Sequence, residues 1–145
     1  MALAIATKKL SGRVLLVDDM TDVRLIMTKI LRRMGLDVDT AADGKQAYNM
    51  ALEASHSGCA FDVVLMDMHM PVMDGFSATA LLRSNNYEGR IVALTAMHDA
   101  RSSCLAAGCD DFATKPIEVV TLLELLTRHI HGDVCEPALS MRGAA

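Results

Sequence analysis

Val63–Gly75 reads VVLMDMHMPVMDG, and the fold follows from how this stretch begins and how it stops. Val63, Val64, Leu65 and Met66 form a continuous apolar run of the length expected for a strand covered on both faces. The run ends at a single carboxylate, Asp67, and a turn signal follows through Pro71, Asp74 and Gly75. An acid at the C-terminal end of a buried parallel strand lies where open α/β sheets keep their chemistry.

The same grammar recurs along the chain. Arg13–Val17, RVLLV, reads as a buried strand closed by the acidic pair Asp18 and Asp19. From Thr21 the apolar period changes to three and four (Val23, Ile26, Met27, Ile30, Leu31, Met34), which is one face of a helix. Asp19, Thr21 or Asp22 is the expected cap at its start, Arg32 and Arg33 suit its last turn, and Gly35 its stop. A weaker strand follows over 37–40, then Asp43-Gly44 as a turn. A second helix on Ala47, Met50, Ala51 and Leu52 frays into 55–58. After Gly75, Phe76, Ala80 and Leu81 imply a third helix ended by Ser84-Asn85-Asn86. A fourth strand runs from Arg90 to Leu94 and stops at Thr95. A short helix through Leu105–Ala107 stops at Gly108, and a fifth strand over 110–114 ends at Lys115-Pro116. The last helix, over 118–131, carries Val119, Leu122, Leu123, Leu125, Leu126 and Ile130. Strands alternating with helices through short loops define a doubly wound α/β structure with a parallel sheet.

Composition narrows the class. The 145 residues suit one domain, 52% of them are hydrophobic, and no Trp and only three Phe are present. Leu, Val, Ile, Ala and Met must therefore fill the core, with Met27, Met34, Met66, Met70 and Met73 as core or turn packing. The formal charge of −4 comes with no Lys/Arg stripe, which argues against a nucleic-acid surface; Arg83, Arg101 and Arg128 read as solvated charges. Cys59, Cys104, Cys109 and Cys135 form no CxxC pair and read as thiols in a reducing compartment. No signal peptide or long apolar run is present, so the expected location is cytoplasmic and without direct membrane contact, although a longer parent could be membrane-attached. Residues 1–11 read as a leader or linker, 12–131 as the domain and 132–145 as a tail.

In a parallel sheet the loops after the strands open on one edge, so Asp18, Asp19, Asp67, Thr95 and Lys115 are expected to converge. Three carboxylates brought together repel one another and need compensation. Lys115 supplies one mobile charge, and a divalent ion with oxygen ligands supplies the rest. Carboxylates without His or Cys suit Mg²⁺, with Mn²⁺ as a substitute, rather than zinc. Asp67 is then a nucleophile that forms an acyl phosphate, and Asp18 and Asp19 hold the metal with the backbone carbonyl of His69. Thr95 and Lys115 stabilise the phosphoryl oxygens. Pro116 is a candidate cis proline that aims Lys115.

The stretches VLLVDDMTDVRLIM, AADGKQA, VLMDMHMPVMDG, VALTA and GCDDFATKP, in this order and each tied to its own strand, closely resemble the receiver domain of two-component response regulators. The likeness covers roughly residues 12 to 131 and is strongest to receivers of hybrid sensor histidine kinases. It implies a flavodoxin-like (CheY-like) five-stranded parallel sheet of order 2-1-3-4-5 with five helices. It implies that Asp67 accepts phosphate from a phosphohistidine on a histidine kinase dimerisation domain or a histidine phosphotransfer protein. The domain would then be a switch that assists its own phosphorylation and dephosphorylation within a phosphorelay. Thr95 and Phe112 match the switch positions, with Phe where many members carry Tyr or His. His69 and Met97 match the positions that tune autodephosphorylation; Met97 offers nothing to position a water, which implies slow self-hydrolysis. Pro71, Gly75 and Pro116 shape the loops, and the fourth helix, fifth strand and fifth helix form the expected readout face.

Two other classes share part of this pattern. Phosphatases of the haloacid dehalogenase type also pair a strand-end Asp with Mg²⁺, Thr/Ser and Lys. Their DxDx(T/V) motif, however, puts a second Asp where His69 stands, and the chain carries no cap-domain sequence. A pseudo-receiver that only binds protein would have lost an acidic, Thr or Lys position, and none is lost. His56, His98, His129 and His131 fall near helix ends or in loops, unlike a phosphodonor histidine on a long amphipathic helix.

Overall fold

The structure, a computed structural model, describes residues 10–130. Five parallel strands, β1 (Arg13–Val17), β2 (Asp37–Ala41), β3 (Val63–Asp67), β4 (Arg90–Thr95) and β5 (Asp111–Thr114), form one sheet in the order β2-β1-β3-β4-β5. They alternate with α1 (Thr21–Arg33), α2 (Gly44–His56), α3 (Gly75–Ser84), α4 (Arg101–Ala107) and α5 (Val119–His129). This is the CheY/flavodoxin-like arrangement that the resemblance to receiver domains implied.

The three inner strands are apolar at every position that needs cover, and alternate residues supply two separate cores. Leu15, Val17, Val64, Met66, Ile91 and Ala93 face Ala47 and Ala51 of α2, Ala78 and Leu82 of α3, and Cys104 of α4. Val14, Leu16, Val63, Leu65, Val92 and Leu94 face Met27 and Leu31 of α1 and Leu122, Leu125 and Leu126 of α5. Each fully buried Leu or Val contributes about 1.5–3 kcal/mol by leaving water, which makes β1, β3 and β4 the rigid base of the molecule. The edge strands β2 and β5 are only partly covered, as their mixed sequences DVDTA and DFAT require.

Several local readings are corrected. Helix α1 has no side-chain cap: Met20 occupies the cap position, because Asp18 and Asp19 serve the sheet edge instead. Ile26 is 60% exposed rather than core-facing. Asp43 is a helix cap, its side chain accepting from Gln46 N at 2.9 Å, and Gly44 opens α2 rather than completing a turn. In α3 the buried face is Ala78, Thr79 and Leu82, while Ala80 is exposed. Arg83 is no solvated charge: it donates to the carbonyls of Gly108, Tyr87 and Gly89 and to Asp110, tying α3 to the start of β5. Arg128 keeps to the solvated reading, with its side chain 62% exposed, while pairing with Asp111 at 2.7 Å.

Cys104 and Cys109 are buried free thiols. Cys59, in the half-buried loop before β3, is disulfide-bonded, against the thiol reading. Of the expected leader, only Leu10 and Ser11 are described; Leu10 N donates to the Met34 carbonyl at 2.6 Å. The remaining leader, His131, Cys135 and the tail over 132–145 lie outside the described residues. Among the described residues no helix is long and apolar enough to cross a membrane.

Candidate functional site

Strand register assembles the site. Val17 pairs with Met66, so the next residues, Asp18 and Asp67, come level at the ends of β1 and β3. Asp67 pairs with Leu94 and Thr95 with Thr114, which brings Thr95 and then Lys115 to the same edge. Backbone bonds carry the alignment past the strands: Met68 N donates to Leu94 O at 3.0 Å and Lys115 N to Thr95 O at 2.7 Å. The Lys115–Pro116 bond is cis, as the sequence suggested.

Lys115 Nζ lies 3.1 Å from Asp18 Oδ2 and 3.3 Å from Asp67 Oδ2. The other oxygen of each carboxylate accepts a backbone N–H of its own loop, Met20 N to Asp18 Oδ1 at 2.8 Å and His69 N to Asp67 Oδ1 at 3.1 Å. Asp18 is 0% and Asp67 3% exposed, so these contacts replace most of the hydration that the charges would have in open water. Asp19 stands at the exposed rim, and one ligand atom each of Asp18, Asp19 and Asp67 lie within 4.8 Å of one another. That is an all-oxygen donor set with the charge a hard divalent cation requires.

The electrostatics carry the mark of confinement. Burial pushes the Asp67 carboxyl above its ordinary value; the His69 amide and the Lys115 charge oppose this, and the charge of Asp18 adds to it. Burial alone would pull the Lys115 ammonium down, but Asp67 and then Asp18 outweigh it and the net direction is up. The two directions agree: Lys115 gains from a pair of acids, whereas Asp67 shares one cation with a second carboxylate and stays under-compensated.

Thr95, fully buried, accepts from Met97 N at 3.1 Å, and its Oγ1 lies 3.3 Å from His69 Nε2. The exposed His69 ring rests edge-on against Phe76, with centroids 5.9 Å apart. Met97 is 48% exposed at the rim. Phe112 pairs with Ala93, two residues below Thr95 on the register, and packs half-buried with Arg101 Cζ 5.9 Å from its ring centre. Gly75 is pressed into the site wall: a Cβ there would meet the Asp67 carbonyl oxygen and stand 2.8 Å from Met68 Cα. Pro71 and Pro116 lie exposed on the flanking loops. A groove of about 390 Å³ runs along β5 and α5, bordered by Phe112, Thr114, Leu125 and Arg128 and separate from the acidic cluster.

Two contacts were not read from the sequence. Arg24 Nη1 donates to the Asp18 carbonyl at 2.6 Å, bracing the acidic loop from α1; the only signal was an Arg one turn into the helix. The His69–Thr95 contact joins residues from different loops, and nothing in their spacing announces it.

A five-stranded parallel sheet with an aspartate cluster, a lysine and a buried threonine at its C-terminal edge defines a receiver domain. The response regulator receiver domain family matches residues 14–127, and the chain belongs to that family. It is 35% identical over 126 residues to hybrid signal transduction histidine kinase F of Dictyostelium discoideum, covering 81% of this chain but 11% of that protein. The receiver domain of sensor histidine kinase PA1611 from Pseudomonas aeruginosa, solved with a magnesium ion coordinated in its active site cleft, superposes with a TM-score of 0.72 at 35% identity. The match covers 82% of this chain and 97% of that one. The co-crystal structure of the Saccharomyces cerevisiae histidine phosphotransfer signalling protein Ypd1 with the receiver domain of its downstream response regulator Ssk1 matches at a TM-score of 0.73 and 26% identity. It covers 84% of this chain and 89% of that one. The Asp18–Asp19–Asp67 cluster is accordingly a receiver-domain phosphoacceptor site, and it is capable of coordinating Mg²⁺.

Proposed function

We propose that Asp67 is the residue phosphorylated, by transfer from a phosphohistidine of a histidine kinase or histidine phosphotransfer partner. The observation that carries this reading is the shared Lys115 ammonium, 3.1 Å from Asp18 and 3.3 Å from Asp67, beside the three-carboxylate cluster. In the transfer, a carboxylate oxygen of Asp67 attacks phosphorus, the phosphorus–nitrogen bond breaks, and the electron pair stays with the imidazole. Asp18, Asp19, Asp67 and the His69 backbone carbonyl would hold Mg²⁺, which when bound neutralises charge on the phosphoryl oxygens. Lys115 moves from the carboxylates to a phosphoryl oxygen, and the Thr95 hydroxyl donates to another.

The same reading gives the remaining residues their roles. Thr95 and Phe112 form the switch, the ring moving into the space that Thr95 leaves. His69 and Met97 tune phosphoryl lifetime, and Pro71, Gly75 and Pro116 fix the loops. The readout face is α4, β5 and α5, where the groove beside Phe112 lies. The functional unit is residues 12–131, acting in the cytoplasm as a phosphoacceptor within a longer phosphorelay, without nucleic-acid contact.

The test is incubation with acetyl phosphate and Mg²⁺ followed by intact mass measurement. The parent gains one phosphoryl mass and Asp67→Asn gains none; equal labelling of both would defeat the assignment.

A further inference from the structure

The geometry points to His69 as a positioning residue that holds the Thr95 hydroxyl in the resting protein and so sets how readily the site switches. This rests on the reading of Asp67 as phosphoacceptor and adds a residue to it. Thr95 Oγ1 already accepts the Met97 N–H at 3.1 Å, which pins the oxygen within its own loop. The other direction available to that oxygen leads to His69 Nε2, 3.3 Å away. With the proton on Nδ1 the imidazole accepts the threonine O–H; with the proton on Nε2 it donates to the threonine oxygen. Only the first tautomer engages the threonine proton, and it is the one the latch requires; in the second the hydroxyl still has its proton to donate elsewhere.

Two further contacts bear on where the residue sits. Its backbone N–H is bound to Asp67 Oδ1 at 3.1 Å, and its edge rests on Phe76 in the first turn of α3. Thr95 is completely buried while His69 is exposed, so the contact joins a buried hydroxyl to a side chain at the surface. A phosphoryl group on Asp67 must draw the hydroxyl away from the imidazole before Thr95 can donate to it. The contact therefore favours the resting state, by the amount one neutral hydrogen bond contributes. Hydrogen-bond identity and ring packing separate cleanly here: Phe keeps the edge contact with Phe76 and deletes the nitrogen, while Gln deletes the ring and carries a polar atom to about the position of Nε2.

The experiment is a titration with beryllium fluoride and Mg²⁺, a phosphoryl mimic, on the parent, His69→Phe, His69→Gln, Thr95→Val and the His69→Phe/Thr95→Val double variant. His69→Phe is expected to bind about threefold tighter than the parent, the size of one hydrogen bond of ordinary net worth. His69→Gln should return close to the parent, and His69→Phe should change nothing in the Thr95→Val background. A second measurement needs no metal: the ¹⁵N resonance of His69 Nε2 should move when Thr95 becomes Val. The latch is overturned if His69→Phe binds no tighter, if its gain survives loss of the Thr95 hydroxyl, or if the resonance stays put. If the parent shows no saturable binding of the mimic, the phosphoacceptor reading itself falls, and the resonance alone then decides whether the contact exists.

Discussion

One ammonium shared by two buried carboxylates sets the character of the resting site. Lys115 offsets the charge of Asp18 and Asp67 but cannot neutralise both, and a divalent cation would compete with it for the same oxygens. Lys115→Met keeps the stem and deletes the charge. Without metal it should lower stability by about 1–3 kcal/mol, because two confined acids lose their cation. It should also bind Mg²⁺ more tightly than the parent, since no ammonium has to be displaced. Thermal melts across a Mg²⁺ series read both effects, and weaker Mg²⁺ binding by the variant would contradict the competition. The set of residues involved was legible in the sequence because each one closes an apolar run: Asp18 after RVLLV, Asp67 after VVLM, Thr95 after IVAL, Lys115 after FAT. The contact between His69 and Thr95 was not, because it depends on how two loops curl beyond the last paired residues.

At the scale of elements, the loop between β3 and α3 stores strain where the site is built. Val72 has φ 69°, a value that a β-branched residue avoids, and Met73 N closes on Pro71 O at 2.8 Å to form a γ-turn. The loop holds this shape because both ends are tied: Gly44 N donates to Met73 O at 3.0 Å, and Gly75 N to Met68 O at 3.1 Å. Strain of this kind costs about 1–3 kcal/mol and persists only when the surroundings enforce it. Val72→Gly should therefore stabilise the protein by about 1 kcal/mol after the entropy of the glycine is subtracted. Gly75→Ala should destabilise it by about 1–3 kcal/mol, because the added methyl meets backbone of Asp67 and Met68 that cannot move aside. Denaturant midpoints compare the two, and a loss of stability in Val72→Gly would show the turn to be unstrained. Helix phase explains where sequence reading failed here. In GFSATALLRS nearly every residue is small or apolar, so Phe76-Ala80-Leu81 and Ala78-Thr79-Leu82 are equally plausible faces, and only packing on the sheet chooses the second. The start of α1 misled for another reason: of the expected caps, Asp19 joins the acidic cluster at the strand ends, and Thr21 and Asp22 already lie inside the first turn.

For the whole molecule, the site is a debt carried by the rest of the fold, and that gives stability a predictable dependence on pH and metal. Asp67 binds its proton more tightly folded than unfolded, since burial raises its folded-state value above the ordinary 3.8. The native state then holds the extra proton, and stability falls as pH rises through the interval between 3.8 and the folded value. At neutral pH the whole penalty is present, whereas below 3.8 the carboxyl is protonated in both states and the penalty is gone. Asp67→Asn removes the charge and the penalty with it. Free of metal at pH 7, the variant should be more stable than the parent by on the order of 1 kcal/mol, and the gap should close as the pH is lowered toward 3.8. Mg²⁺ should work in the opposite sense, because it binds the native cluster and stabilises by RT ln(1 + [L]/Kd), about 2.7 kcal/mol at a hundred times Kd. An amide is a poorer ligand than a carboxylate, so the parent gains more and the order of the two melting temperatures narrows or reverses at saturating Mg²⁺. A parent already more stable than Asp67→Asn without metal at pH 7, or a gap that ignores pH, would mean that Asp67 is compensated by something other than Lys115 and the cation it is built to share.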